Sequence, residues 1–196
     1  MTDIETTNQQ SHARIGWTAP DFSLPGVDSQ QWNLGRSRGA MGLVVVFIAN
    51  DCPYVAPILD KLPTLNKLLL NMGVGMVAVN PSNPSIQPEN ALPYMRSVAR
   101  QSRFDFPYLV DDKQILARAF GAQITPEFFG FNALMELQYH GRLGLTDEDE
   151  VGHCELIIAM RQIALTGQGP QQQFAASGCR IKYEQADAAE LLHEPF

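Results

Sequence analysis

The sequence predicts an α/β protein, a three-layer α/β/α sandwich with a central mixed β-sheet. Two apolar runs rich in β-branched residues, 43–48 and 74–79, are bounded by turn residues, as in strands buried on both faces. Amphipathic helix patterns alternate with these strands, which is typical of a parallel sheet. Two further strand patterns, 127–132 and 135–140, flank a turn and predict an antiparallel hairpin at one side.

Length and composition limit the classes of protein that need to be considered. The 196 residues fit one decorated domain, and the apolar share of 45% allows a substantial core. A net charge of −7 without a basic cluster argues against nucleic acid as a partner. No apolar run approaches the roughly 20 residues that span a membrane. Three scattered cysteines and an N-terminus without an apolar signal core predict a cytoplasmic protein with reduced thiols.

The chain divides into a domain and two flanking segments. Residues 1–13 are polar, so we expect a disordered tail. Residues 14–170 hold the predicted elements and form the domain. Residues 171–196 form a C-terminal extension, in which only 179–183 has the pattern of a short strand.

The first half of the domain is predicted in order. Segment 16–26 alternates apolar and polar residues between prolines, which suits an edge segment, and 31–34 is a short strand that pairs with it. A helix is predicted over 53–71, after the first buried strand. Because Pro57 and Pro63 each remove a backbone hydrogen bond, this helix should kink or restart.

The second half follows the second buried strand. Asp111 and Asp112 are expected to cap one helix, and the spacing of Asp147 and Glu150 is that of a capping box at the start of another. The predicted elements here, besides the hairpin, are a helix over 89–102, a strand over 107–110, a helix over 113–120 and a helix over 148–166.

Cys52 lies where the first buried strand is predicted to give way to a helix. Asn50 and Asp51 form the turn, and Pro53 suits the first position of a helix. Free N–H groups and the helix dipole favour an anion there, so the pKa of the Cys52 thiol should lie below the usual value of about 8.5. The alternative is a buried cysteine that acts as a small apolar side chain.

Four separated blocks, together with the start of the domain, carry a family resemblance. The chain resembles the thioredoxin-like proteins of the AhpC/TSA redoxin group over about residues 14–183. This resemblance implies a thioredoxin-like sandwich in which Cys52 lies beside a cis-proline, Pro126. The matching segments are Trp17-x-Ala19-Pro20-Asp21-Phe22, Asn50-x-Cys52-Pro53-Tyr54-Val55, Thr125-Pro126-Glu127-Phe128-Phe129, Tyr139-His140-Gly141-Arg142-Leu143 and Gly178-Cys179-x-Ile181-Lys182-Tyr183.

The chain also departs from its relatives. They commonly carry cysteine at the positions of Ala49 and Ile124, so no local Cys-x-x-Cys pair can form here. Their histidine is replaced by Asp51, whose negative charge would oppose a thiolate at Cys52. Val45 and Ala49 occupy the Pro and Thr positions of the peroxidatic Pro-x-x-x-Thr-x-x-Cys signature, so that signature is absent.

Two cysteines remain as catalytic candidates. Cys52 is the expected nucleophile, and thiol exchange needs a second thiol to resolve the intermediate. Cys179 could serve if the tail folds back over the sheet, or it could be a structural thiol. Cys154 falls near the apolar side of the last predicted helix and is expected to pack in the core. His153 adjoins Cys154, but no second pair has zinc-site spacing, so no metal is expected.

The substrate-binding candidates lie around Cys52 and Pro126. If the bond before Pro126 is cis, the backbone edge beside Cys52 could pair with an extended peptide or a thiol substrate. Tyr54 could line the same mouth or simply pack. The candidates are Asn50, Asp51, Tyr54, Thr125 and Pro126.

Two functions follow from these residues. The first is a thiol-dependent oxidoreductase with a single active-site cysteine, Cys52, acting on a thiol, a disulfide (protein or small molecule) or a peroxide, with no cofactor. The second is a redox-inactive binding or adaptor protein of the same fold, motivated by Ala49, Ile124 and Asp51. The first predicts a Cys52 thiol with a lowered pKa, and the second predicts that Cys52→Ser leaves the activity intact.

Overall fold

The computed structural model describes residues 14–145 and 150–184. Within these residues the regular elements, in chain order, are β1 (Ser23–Pro25), β2 (Gln31–Asn33), α1 (Leu34–Ser37), β3 (Gly42–Phe47), α2 (Leu62–Asn71), β4 (Val74–Asn80), α3 (Leu92–Gln101), β5 (Tyr108–Val110), α4 (Ile115–Phe120), β6 (Ile124–Thr125), β7 (Glu127–Phe131), β8 (Leu137–Gly141), α5 (Glu155–Thr166) and β9 (Cys179–Arg180). Short 3-10 helices cover Ala56–Lys61, Pro88–Asn90 and Val151–His153.

The central sheet has five strands in the order β5-β4-β3-β7-β8. Strand β3 pairs in parallel with β4, and β4 pairs in parallel with β5. Strand β7 runs antiparallel to both β3 and β8. The parallel core and the antiparallel hairpin at one side are therefore as predicted, and the mixed sheet of an α/β fold is confirmed.

Helices cover both faces of this sheet. Successive side chains of β3 point to opposite faces, so they pack against different layers. Val44 and Val46 face the layer that contains α2 and α5. Val45 and Phe47 face the layer that contains α4 and the N-terminal segment. In the second layer Phe120 makes edge-on ring contacts, with centroids 5.2–5.7 Å apart, to Phe47, Phe129 and Phe131.

The helix predicted to start at Pro53 differs from the observed one. Residues 53–55 form a turn, the 3-10 helix Ala56–Lys61 follows, and α2 begins only at Leu62. Prolines 57 and 63 lack the N–H groups that regular α-helical bonds would need, so the chain takes the tighter form and then restarts. The restart was predicted, but the prediction of a regular helix beginning directly after Cys52 is wrong.

Other boundaries shift by a few residues. The helices predicted over 89–102 and 148–166 each open with a 3-10 turn, and their α-helical parts are α3 and α5. The carboxylate of Asp111 caps α4 as expected, since it accepts hydrogen bonds from the N–H groups of Leu116 and Ala117 at 3.2 and 2.8 Å. The expected tail over 1–13, Asp147 of the capping box, and residues 185–196 lie outside the described residues.

The described part of the C-terminal extension packs against the domain. The side chain of Gln173 donates to the carbonyl of Gln138 at 2.9 Å, and the carbonyl of Phe174 accepts from Arg142 N–H at 3.2 Å. The chain then reaches β9, which pairs antiparallel with β6. Among the described residues, no helix combines the length and apolar character needed to cross a membrane.

Candidate active site

Cys52 lies in the turn that follows β3, with 2% of its surface exposed. Its thiol donates a hydrogen bond to the carbonyl oxygen of Thr125 at 3.0 Å. Thr125 ends β6, and its peptide bond to Pro126 is cis. The structure therefore brings Cys52 and the Thr125–Pro126 edge together, as the family resemblance implied.

Cys179 reaches the same place from the C-terminal extension. In the antiparallel pairing of β6 with β9, Cys179 lies opposite Thr125. The preceding residue, Gly178, makes this approach possible, because a Cβ atom there would lie 2.1 Å from the Thr125 carbonyl oxygen. No side chain fits at that distance, so glycine is required for β9 to dock.

The two thiols border the same cavity, and each affects the acidity of the other. Burial opposes ionisation of Cys52, but hydrogen bonds from the Thr125 side chain, the Cys179 thiol and the N–H groups of Cys179 and Tyr54 outweigh burial and lower its pKa. The hydrogen bond to Cys52, burial and nearby negative charge raise the pKa of Cys179 to about 11. Cys52 is thus the thiol suited to be a thiolate, and Cys179 is the thiol that keeps its proton.

The carboxylate of Asp51, which was expected to oppose a thiolate at Cys52, is held by two side chains from another loop. Its carboxylate accepts hydrogen bonds from Gln87 at 2.7 Å and from Asn90 at 2.9 Å. Burial works against ionisation, but these bonds lower the pKa of Asp51, so the group is a carboxylate. Its charge contributes to the raised pKa of Cys179, and the pKa of Cys52 is lowered despite the adjacent carboxylate.

A cavity of about 240 Å³ opens beside the two thiols. One wall comes from the strand-to-turn region of Cys52 and the other from residues 179–182 of the extension. Its lining is Ala49, Asp51, Cys52, Ser82, Gln87, Thr125, Cys179, Arg180, Ile181 and Lys182. A small molecule that enters this cavity meets both sulfurs.

The remaining predicted site residues are not part of the cavity lining. The amide of Asn50 donates to the carbonyl of Glu89 at 2.9 Å and accepts from the Tyr108 hydroxyl at 2.9 Å, so it ties the turn to neighbouring loops. Tyr54 is 55% exposed, and only its backbone N–H supports the Cys52 sulfur. Pro126 is half-buried behind Thr125.

A buried glutamate holds the segment that carries Thr125, and sequence reasoning missed it. The carboxylate of Glu127 accepts from the N–H groups of Gln123 at 2.7 Å and Ile124 at 3.3 Å, and it contacts the His140 ring at 2.7 Å. The His140 ring is half-buried and stacks on Phe129. A glutamate directly after Thr-Pro, in an otherwise apolar strand, was the available signal.

Cys154 is separate from this site. It is fully buried at the N-cap position of α5, and burial raises its pKa. It therefore packs in the core, although at the start of the helix and not within it. In the described part of the chain, no group of three or more His, Cys, Asp or Glu side chains is arranged to hold a metal ion.

Comparison with solved structures supports a thioredoxin-like fold for the chain. It is 28% identical to a hypothetical protein from Sinorhizobium meliloti 1021, covering 88% of this chain and 96% of that one, with a TM-score of 0.82. An uncharacterized conserved protein from Geobacillus kaustophilus is also 28% identical, covering 89% and 95%, with a TM-score of 0.81. A peroxidoxin from Mycobacterium tuberculosis shares 18% identity over 79% and 95% and, with a TM-score of 0.57, shows the fold alone.

No curated protein matches the chain. The model of the AhpC/TSA family, in contrast, matches residues 15–142, which is more than half of the sequence. This match covers β3, the Cys52 turn, β6 and the hairpin, and it confirms the family that the sequence blocks indicated. The chain belongs to the AhpC/TSA family.

Proposed function

We propose that the protein is a thiol-dependent oxidoreductase in which Cys52 is the nucleophile and Cys179 resolves the intermediate. The observation that carries this proposal is the placement of both thiols at Thr125: the Cys52 thiol donates to the Thr125 carbonyl, Cys179 pairs with Thr125, and both line one cavity. The lowered pKa of Cys52 and the raised pKa of Cys179 agree with these roles. Membership of the AhpC/TSA family supports thiol oxidoreductase chemistry in general. The pair replaces the local Cys-x-x-Cys arrangement that Ala49 rules out.

The first step is attack by the Cys52 thiolate. With a disulfide RSSR, a bond forms between Cys52 sulfur and one substrate sulfur while the S–S bond breaks, and RS⁻ leaves. With a hydroperoxide ROOH, the thiolate takes the terminal oxygen as a sulfenic acid, and RO⁻ leaves. Once Cys52 is no longer a thiolate, the main cause of the raised pKa of Cys179 is gone, and the Cys179 thiol gives its proton to the leaving group.

The second step uses the thiolate that this proton transfer creates at Cys179. It attacks the Cys52 sulfur, forms the Cys52–Cys179 disulfide and expels the second RS⁻, or hydroxide that is protonated to water. Two equivalents of an external thiol then reduce the disulfide and become oxidised themselves. A reducing compartment such as the cytoplasm would supply that thiol.

Single-residue variants test the assignment. We expect wild-type protein treated with one equivalent of hydroxyethyl disulfide or hydrogen peroxide to give a Cys52–Cys179 disulfide in peptide mass maps. Cys179→Ser should stop at a mixed disulfide or sulfenic acid on Cys52, and Cys52→Ser should leave Cys179 unmodified at neutral pH. Cys154→Ala is the matched control, because that thiol is buried away from the site.

Two outcomes would contradict the proposal, and the first of them would favour the redox-inactive binding protein. If no Cys52–Cys179 disulfide forms with either oxidant, the pair has no redox role. If Cys179 in Cys52→Ser reacts as fast as Cys52 does in Cys179→Ser at neutral pH, the assigned order of the two thiols is wrong.

A further inference from the structure

Strand β6 offers the backbone edge on which an extended peptide would dock beside Cys52. Peptides commonly bind by adding a strand to such an edge, with main-chain hydrogen bonds giving affinity. Here the edge is already occupied by the chain itself. Strand β9 pairs antiparallel with β6, with Arg180 opposite Ile124 and Cys179 opposite Thr125. The Cys179 sulfur therefore stands where the cysteine of a docked substrate peptide would stand.

Residues 178–184, called the strap below, are held in place along their whole length. At the start, Gly178 packs its backbone against the Thr125 carbonyl. In the middle, Ile181 N–H donates to the carbonyl of Gln123 at 3.0 Å. At the end, the Tyr183 hydroxyl donates to the carbonyl of Ala122 at 2.7 Å.

Gln114 fixes the strap from the other side. Its buried amide donates to the carbonyl of Lys182 at 2.9 Å and to that of Pro81 at 2.9 Å, and it accepts from Glu184 N–H at 2.8 Å. A peptide substrate could take the β6 edge only after these bonds and the β6–β9 pairing had been broken. The strap is therefore a competitor tethered at high effective concentration.

We propose that the strap is an internal substrate mimic that excludes protein disulfides and limits the substrate to a small hydroperoxide or a low-molecular-weight disulfide. With the strap docked, the way to Cys52 is the cavity of about 240 Å³, whose outer wall is strap residues 179–182. This volume lies below the roughly 300–1,000 Å³ of pockets for drug-sized ligands. The inference rests on the proposed function, because it names the substrate class of the same thiol pair.

The test separates access to Cys52 from resolution by Cys179. In a Cys179→Ser background, Cys52 reacts once and stops at a mixed disulfide or sulfenic acid, so the rate of its formation measures the first attack without resolution. We would measure this rate with hydroxyethyl disulfide, with hydrogen peroxide and with insulin, whose disulfides are those of a protein. Gly178→Val, added to that background, places a side chain against the Thr125 carbonyl and undocks the strap.

We expect the docked form to react with at least one small oxidant and to react with insulin at least tenfold more slowly. Gly178→Val should raise the ratio of the insulin rate to the rate with the same small oxidant at least tenfold, because only a peptide needs the β6 edge. Undocking also takes the hydrogen-bond donors of residue 179 away from the Cys52 sulfur and slows both reactions alike, so the ratio of the two rates is the readout. Gly152→Ala is the control, since a Cβ there meets no atom closer than 4.0 Å. Gln114→Ala, which releases the other end, should shift the ratio in the same direction.

Each contrary result has one meaning. Equal rates with insulin and the small oxidant in the docked form would overturn the exclusion of proteins. An unchanged ratio of the insulin rate to the small-oxidant rate in both Gly178→Val and Gln114→Ala, with thermal melts showing folded proteins, would also overturn it. If Cys52 reacts with none of the three oxidants in any variant, the proposed function itself fails.

Discussion

The hydrogen bond between the two active-site thiols makes Cys179→Ala the most informative perturbation. In the folded protein the Cys179 thiol donates to the Cys52 sulfur and favours its thiolate form. Alanine removes that donor but keeps the backbone N–H of residue 179. A hydrogen bond to a charged group is worth about 1.5–3 kcal/mol, and a thiol is a weak donor, so about 1.5 kcal/mol is expected here.

This energy corresponds to about a tenfold loss of thiolate, since each 1.4 kcal/mol changes an equilibrium constant tenfold. The assay is the second-order rate of alkylation of Cys52 by iodoacetamide as a function of pH, with the adduct located by mass spectrometry. Below the midpoints of both proteins, Cys179→Ala should react about tenfold more slowly than wild type, and its midpoint should move to higher pH. Cys179→Ser, which keeps a hydroxyl donor, should recover most of the rate.

The plateau of each profile at high pH measures access to the sulfur, whereas the midpoint measures its pKa. A faster plateau in Cys179→Ala would therefore leave the reasoning intact. A midpoint that stays in place or moves to lower pH in Cys179→Ala would refute it, and so would identical midpoints for the Ala and Ser variants. Cys154→Ala should reproduce the wild-type profile.

Two further predictions concern stability. Burial raises the pKa of Asp111 to about 6, so its stabilising contribution is complete below its unfolded value near 3.9 and is lost as the pH rises through about 6. Asp111→Asn keeps an acceptor for the α4 cap and does not titrate. Between pH 4 and pH 7 its free energy of unfolding in urea, relative to that of wild type, should rise by up to about 3 kcal/mol. A difference between the two proteins that does not change with pH would contradict this. Glu127→Ala leaves the N–H groups of Gln123 and Ile124 without their hydrogen-bond acceptor. Unfolding in urea should therefore show a loss of roughly 1–3 kcal/mol in the free energy of unfolding. The Cys52–Cys179 disulfide should also form more slowly, and Glu136→Ala is the control. Unchanged stability together with an unchanged rate would show that Glu127 does not position Thr125.

The buried strands were predictable because their signal is local. A short apolar run of β-branched residues between turn residues favours a buried strand over other structures. Strands β3 and β4 accordingly fall within one residue of the predicted spans at each end. The hairpin of β7 and β8 was predictable for the same reason, since each strand is short and the turn between them is marked by Asn132.

The lowered pKa of Cys52 was predicted for a reason that is only partly right. The sequence indicated a helix dipole, but the regular helix starts at Leu62 and the thiolate is favoured by individual donors from Tyr54, Thr125 and Cys179. The orientation of Asp51 depends on Gln87 and Asn90, which lie far along the chain, so no local pattern contains it.

The docking of the strap lay furthest from prediction. The sequence indicated a short strand at 179–183, but β6 and β9 have two residues each, too few for a pattern that would identify their pairing. The pairing also joins segments that a whole hairpin and helix separate. The local hint was Gly178 beside Cys179, because a glycine next to a strand often marks a close backbone approach.

Cys154 gives the molecule an internal reference that needs no engineering. It is sealed in the core, while Cys52 and Cys179 border an open cavity. Oxidants that enter the cavity should consume the latter two sulfurs and spare the first, whereas global unfolding exposes all three. The number of modified sulfurs in a single sample therefore distinguishes folded molecules that have reacted, with two modified, from unfolded molecules, with three modified. Heat-damaged protein can be recognised in this way without a separate folding probe.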